Sequence, residues 1–380
     1  MSKIGRERAK PPIRYSSMAD PRAGLPRRGP RLGLLADVYD EEFQKEVLLA
    51  AESEAREQSL DFVAISGGML GKESQHPKNF VFDIIGEGNV DALLICAHTI
   101  GHHASAEQVA AFVQQFAPLP RICLGVEIAG LPSLLMDNEV GMYTAVKHLI
   151  TAHDRRKIAF IAGPSANPEA QARFRGFARA LAEQGLAVDP RRLGQGDFTQ
   201  TSGQEAMIEL FDQHGLAPGE IDAVVCANDA MALGALEELD ERGLRVPRDL
   251  ALIGFDDLNF ARYARVPLTT VRQPVAEQIR YAVRCLAGCL RGNPLDARTV
   301  TFETEFVRRR SCGCKTRSRD HVLSWPMPGE TRDFSSEMRA RRDSIIANLG
   351  QAAHGGFDFV PEHWEDRLLT SFLAQVAEPE

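Results

Sequence analysis

The sequence predicts an α/β protein of two doubly wound parallel-sheet lobes followed by a C-terminal helical extension. Three observations lead there. Short apolar runs alternate with amphipathic helical stretches from residue 31 to residue 307, the alternation restarts after Asp137, and two more amphipathic segments follow residue 334. Apolar runs of four to six residues, each followed by a helix, are the pattern of parallel strands covered on both faces.

The first cycle opens on the run 31–36. Residues 41–58 follow with helical spacing, Phe43, Val47, Leu48 and Ala51 on one face and Glu and Lys opposite. Runs at 62–65, 92–96 and 121–124 read as strands, and 78–88 and 105–117 as helices. In the second cycle, 140–152, 169–184, 202–214, 229–243 and 274–291 read as helices. The runs 158–161, 223–226, 250–253 and 299–302 read as strands. The expected lobes are 31–137 plus 275–302, and 138–272 plus 303–307. Such sheets bind ligands beyond the carboxyl ends of their strands, so two facing lobes place the ligand between them.

Composition narrows the function. Of 380 residues, 44% are hydrophobic and 25% charged, and the formal charge of −8 does not invite nucleic acid or an acidic membrane surface. Residues 1–31 carry nine basic and two acidic side chains, a net of +7 that leaves −15 on the rest. The segment 1–30 is Pro-rich and without apolar periodicity. It is expected to be a disordered basic arm, and any direct contact with DNA would come from it. No run is long and apolar enough to span a bilayer, and no apolar stretch follows the N-terminal charges as in a signal peptide. The seven cysteines form an odd, scattered set, which suits reduced thiols and a cytoplasmic setting.

Five blocks in the second half carry a resemblance. Asp137-Asn138 is followed by Gly141, Ala145 and His148-Leu149. Arg173-Phe-Arg-Gly-Phe177 precedes Ala180-Leu181. Cys226-Ala-Asn-Asp229-Ala-Met-Ala-Leu-Gly-Ala-Leu236 places an Asn-Asp pair between strand and helix. Gly243-Leu-Arg-Val-Pro247 leads to Ile253-Gly-Phe-Asp-Asp257, and Pro267-Leu-Thr-Thr-Val-Arg-Gln-Pro274 closes the series. In order and spacing these resemble the signatures of LacI/GalR-type regulators, over about 275 residues. The resemblance implies a periplasmic-binding-protein-like effector domain of type I. It implies contacts to a sugar- or nucleobase-like effector from Arg173, Asn228, Asp256 and Gln273, with an aromatic cover from Phe43 or Tyr39. Arg173 suits such work because its planar fork holds two acceptors at once. Asn228 could equally be a helix cap, and Asp257 reads as a turn residue.

The family's helix-turn-helix is absent, because the residues before the first strand are too few and too Pro-rich to form it. The Gly-His pair that usually precedes the strand at 158 is replaced by His153-Asp154. The expectation is a small-molecule-sensing regulator, controlling transcription or another signalling output through a homodimer or a partner, with solute binding for uptake or chemosensing as the other reading. No enzymatic activity is expected. Ser66-Gly67-Gly68-Met-Leu-Gly71-Lys72-Glu73 lacks the first glycine and the hydroxyl of a phosphate loop, and no hydrolase constellation appears. No cofactor is expected, and no metal. His98, His102 and His103 read as a polar loop at the mouth of the cleft, and Cys312-Gly-Cys314 is too tight for a common zinc half-site. Residues 308–334 read as a linker whose first residues, Arg308 to Cys314, close the sensor. In 335–380, Met338, Ile345, Ile346 and Leu349 make one apolar stripe, and Trp364, Leu368, Leu369, Phe372 and Val376 another. Two such helices need a partner surface, so they are expected to engage a second subunit or a downstream module.

Overall fold

The structure is a computed structural model and describes residues 29–315. The basic arm and the C-terminal stripes expected above lie outside the described residues. The chain divides into two units at Arg317, and everything described belongs to the first.

The chain begins with β1 (Arg31–Ala36), α1 (Glu42–Glu57), β2 (Asp61–Ser66), α2 (Phe80–Asp83), β3 (Ala92–Ile95), α3 (Ala97–Ile100), α4 (Ala106–Gln114), β4 (Arg121–Leu124) and β5 (Ser133–Met136). It continues with α5 (Asn138–His153), β6 (Ile158–Ala162), α6 (Pro168–Glu183), β7 (Leu193–Gln195), α7 (Gln200–Ile208), β8 (Ala223–Cys226), α8 (Asp229–Glu241), β9 (Ala251–Ile253), α9 (Asn259–Tyr263) and β10 (Thr270–Arg272). Helix α10 (Val275–Leu290) and strands β11 (Thr299–Phe302) and β12 (Glu305–Val307) complete it.

The first sheet runs β11-β5-β4-β3-β1-β2, all parallel, and the second runs β7-β6-β8-β9, also parallel. Central strands β3, β4 and β8 are buried at every residue. Both faces are covered, which is why these strands run apolar instead of alternating, save for Arg121 at the start of β4, which donates to the Leu119 carbonyl and to Gln114 Oε1. Helices α1 and α10 pack together over one face of the first sheet through Val47, Ala51, Ile279, Val283 and Leu286. Val109, Phe112 and Val113 of α4 cover the other. A single cluster fills the second lobe, where α5 packs on α6 and α7 on α8.

Some elements differ from the reading of the sequence. The expected helix at 78–88 is only a 3₁₀ turn, Glu73–Lys78 with Pro77 inside it, followed by the four-residue α2. Gly86 and Gly88 lie within the expected span, and glycine costs a helix interior about 1 kcal/mol relative to alanine. The helix at 202–214 is α7 plus one π-turn, Glu209–Gln213. Strands β5, β7, β10 and β12 are three or four residues long, too short for their periodicity to stand out. Strands β10 and β12 pair antiparallel in a small sheet of their own, and the chain passes between the lobes that hold the two larger sheets three times: from β5 to α5, from β10 to α10, and from β11 to β12.

Candidate functional site

A cavity of about 420 Å³ is lined by Phe43, Arg173, Asn228, Asp256 and Gln273 together, five residues that come from both lobes. The size is in the range of small-molecule sites.

Arg173 is its centre. It stands in the second turn of α6, whose start is fixed by Asn167: the Asn167 side chain accepts from the amides of Glu169 and Ala170 at 2.9 and 3.0 Å, and Pro168 occupies the first helical position. The Arg173 guanidinium donates to Asn138 Oδ1 and to the Ala227 carbonyl, both at 2.7 Å. Its Nη1 lies 3.3 Å from Asp256 Oδ1, and the group sits 3.9 Å above the Phe255 ring. With only 3% of its surface exposed, Arg173 is held from four sides.

Asp256 ends the loop after β9 with φ +118, and Asp257 follows at φ +61. Two successive non-glycine residues with positive φ cost about 1–3 kcal/mol each, and they persist only where their surroundings over-determine them. Here the Asp256 amide donates to the Val271 carbonyl at 2.8 Å. Gln273 donates from Nε2 to Asp256 Oδ1 at 2.6 Å. Beneath the loop, fully buried Asp229 accepts from the Thr270 hydroxyl at 2.7 Å and from the Leu258 amide at 3.0 Å. Asp257 is more than a turn residue. Its carboxylate is buried among Arg272, Arg262 and Arg309.

Burial pushes the Asp256 carboxyl up to about 6, against the opposing pull of Arg173 and Gln273. A carboxyl whose folded pKa is raised adds stability that is complete below its unfolded value and is lost as pH rises through about 6. Asp256→Asn is therefore expected to lose less stability than the parent chain between about pH 4 and pH 7, read as melting temperature against pH. Parallel profiles for the two would contradict this.

Asn228 lines the cavity and also caps α8: its Oδ1 accepts from the Met231 amide at 2.9 Å while Nδ2 donates to the Phe198 carbonyl at 2.9 Å. The capping role and the cavity position are both real. Phe43 reaches the cavity from the first turn of α1, edge-on to His98 at 5.7 Å. Tyr39 does not. Its hydroxyl donates to the Leu34 carbonyl at 2.8 Å and its ring packs on the first-lobe core. Of the two candidate covers, only Phe43 faces the site.

Of the histidines expected in a polar loop at the mouth of the cleft, His98 and His102 line the cavity, and His98 is on a short helix. His98 is buried on α3, its Nδ1 3.1 Å from the Leu124 carbonyl, and His102 lines the cavity against Phe198. Burial, with the neighbouring His98 and His103, brings His102 down to about 3 and leaves it neutral at pH 7. Glu169 and Phe198 also line the cavity and were not anticipated. Glu169 stands on the Arg173 face of α6, a signal available from helical spacing, whereas Phe198, in a loop at φ +73, gave none.

Polar contacts from Glu42 and Asn167 join the lobes across the site. Glu42 of α1 accepts from the Asn259 amide at 2.6 Å, and Asn167 donates to the His98 carbonyl at 3.2 Å. Among the described residues, no helix is long and apolar enough to cross a membrane.

Residues 146–312 match the model of a periplasmic binding protein-like domain. The HTH-type transcriptional repressor CytR of Escherichia coli (strain K12) is 33% identical over 247 residues, 64% of this chain and 69% of that protein. The PurR repressor of Aliivibrio fischeri is 28% identical, over 74% of this chain and 80% of that protein. Among solved structures, a complex of the transcriptional regulator CelR with cellobiose superposes with TM-score 0.65 at 28% identity, over 75% of this chain and 85% of that one. Fold, motif order and a relative one-third identical over more than two-thirds of its length lead to one assignment: the chain belongs to the LacI/GalR family of transcriptional regulators, of which it carries the effector-binding domain.

Proposed function

We propose that the chain is a sensor whose effector is neutral and rich in hydroxyl or amide donors, a sugar or nucleoside and not a phosphorylated one. Phe43, Arg173, Asn228, Asp256 and Gln273 are its contacts. One observation carries this reading: the charge of Arg173 is already taken up by Asp256 and two carbonyl oxygens. What remains around the cavity, among the described residues, is a surplus of carboxylates from Asp40, Glu41 and Glu169 over the one further cation, Lys45. Carboxylates in excess over cations favour a ligand that donates and disfavour one carrying phosphate. Phe43 supplies an apolar face for a ring.

Effector binding would shift the balance between open and closed lobes and change the surface offered to a second copy or partner, rather than catalyse a reaction. A homodimer in the cytoplasm fits this role, as does an output carried by residues 335–380. DNA would be met through a partner or the basic arm. The edge strand β2 exposes Val63, and Phe80 and Ile84 nearby in the chain are 68% and 64% exposed, apolar surface that a second copy would cover.

A thermal-shift screen over pentoses, hexoses, nucleosides and their phosphates tests the effector class. A ligand at a hundred times its dissociation constant adds about 2.7 kcal/mol of stability. The expected result is a shift with a neutral compound and none with its phosphate. A larger shift with the phosphate would overturn the proposal. Light scattering on the same preparation reads the dimer, and monomer mass with and without ligand would remove it.

A further inference from the structure

The second lobe brings together four residues that the sequence keeps apart. His148 and His153 stand on the last turns of α5, and Cys312 and Cys314 lie more than 150 positions later. One donor atom from each falls within 4.8 Å of all the others. His148 Nε2 and His153 Nε2 are 3.2 Å apart, and Cys314 Sγ is 3.3 Å from the first and 3.4 Å from the second.

Hydrogen bonding accounts poorly for this triangle. A ring nitrogen that carries a proton donates and one that does not accepts, so neither imidazole nitrogen can do both. Three mutual contacts among two such nitrogens and one thiol leave at least one pair facing each other without its own proton. A tetrahedral cation accounts for all of them. With Zn–N near 2.0–2.1 Å and Zn–S near 2.3 Å, donor atoms around zinc lie about 3.3–3.8 Å apart. The two imidazole rings stand edge to face, their centroids 4.9 Å apart and their planes at 79°.

The backbone is shaped to deliver these donors. Asp154 closes α5 in the left-handed conformation at φ +49, which ends the helix directly after His153. Gly313 turns the chain between the two cysteines at φ +101, and its amide donates to the Arg310 carbonyl at 3.0 Å. A side chain there would strain the turn, its Cβ in ordinary contact with the His153 ring. The segment is clamped from behind by Ser311, whose hydroxyl donates to the Leu252 carbonyl at 2.6 Å and accepts from the Thr269 amide at 2.7 Å. Cys312 is fully buried, while the other three are half-buried and reachable by an ion.

We propose that His148, His153, Cys312 and Cys314 form a structural site for a divalent thiolate- and imidazole-preferring cation, Zn²⁺ above all, which staples the end of the sensor to α5. Four protein donors fill a tetrahedron and leave no open position, the mark of a structural and not a catalytic centre. The staple lies three residues before the unit boundary at Arg317, so it fixes the point from which the chain leaves the sensor.

The test uses the full chain, purified under a non-chelating reductant, stripped with chelator and titrated with Zn²⁺ against a chromophoric competitor, then with Co²⁺. The expected result is one ion per chain, a thiolate-to-cobalt charge-transfer band with tetrahedral d–d absorption, and a higher melting temperature with metal. Cys314→Ser and His153→Gln should each weaken Zn²⁺ binding by more than about 100-fold, beyond what losing an outer-shell partner costs. Cys289→Ser should bind as the parent does, and circular dichroism would confirm that each variant folds. Three results overturn the site: an octahedral cobalt spectrum, binding unchanged in Cys314→Ser, or a Cys312–Cys314 disulfide with no metal uptake in the reduced chain.

Discussion

Arg173→Met is expected to lower the unfolding free energy by about 3–5 kcal/mol, the cost of breaking a buried ion pair by removing one partner, and to abolish any ligand-induced thermal shift. The reason is geometric. The guanidinium joins Asn138 at the start of α5, the Ala227 carbonyl at the end of β8 and Asp256 beyond β9. Removing it strands a buried carboxylate and an unpaired carbonyl next to each other. Adding Asp256→Asn should restore part of the loss, because the uncompensated charge goes with it, and ligand binding should stay lost. Urea denaturation of the two variants and the parent measures this. A single variant within about 0.5 kcal/mol of the parent, the usual range for a surface change, would mean that Arg173 is not the node described.

Gly203→Ala and Gly234→Ala are expected to destabilise by about 1–3 kcal/mol each, and by more if the helices cannot separate. In an unobstructed helix the same change stabilises by up to about 1 kcal/mol, so even the sign is diagnostic. Helices α7 and α8 touch backbone to backbone at these two positions. A Cβ on Gly203 would lie 2.1 Å from the Met231 carbonyl oxygen, and one on Gly234 would lie 1.9 Å from that of Gln200. Neither contact is a flexible side chain that can swing aside. Gly288→Ala in α10 serves as the control, since its Cβ would meet only the end of Asn293 at 3.4 Å. The effect should also reach the ligand, because Asn228 caps α8 and faces the cavity. Equal unfolding midpoints for Gly203→Ala and Gly288→Ala would refute the close packing.

The parts legible in the sequence are those whose information is local. Strands such as β3 and β8 are apolar at every residue, so they stand out as runs. The Asn-Asp pair at 228–229 is legible because a strand end and a helix start need it: Asn228 caps, and Asp229 pins the next loop. What was not legible depends on distant parts of the chain. Phe198 reaches the cavity only through a positive-φ loop. Tyr39 and Phe43 have similar claims by position, and only the Leu34 carbonyl that holds the Tyr39 hydroxyl separates them. Cys312-Gly-Cys314 taken alone has poor metal spacing, because its companions sit on α5 and the fold alone makes them neighbours.

The three passages of chain between the sheets lie side by side. The Asp137 amide donates to the Phe302 carbonyl at 2.9 Å, the Thr304 hydroxyl donates to the Asp137 carbonyl at 3.2 Å, and Gly141 leaves room for both Thr304 and Val271. Tethers bonded in this way behave as a flexure. They bend together at little cost, whereas shear or twist between the halves would have to stretch one tether against the next. The molecule therefore has one soft rotational coordinate, and the free energy of a ligand between the halves is channelled into it instead of being spread over many. A single distance, measured between one label on each half, would report the whole motion.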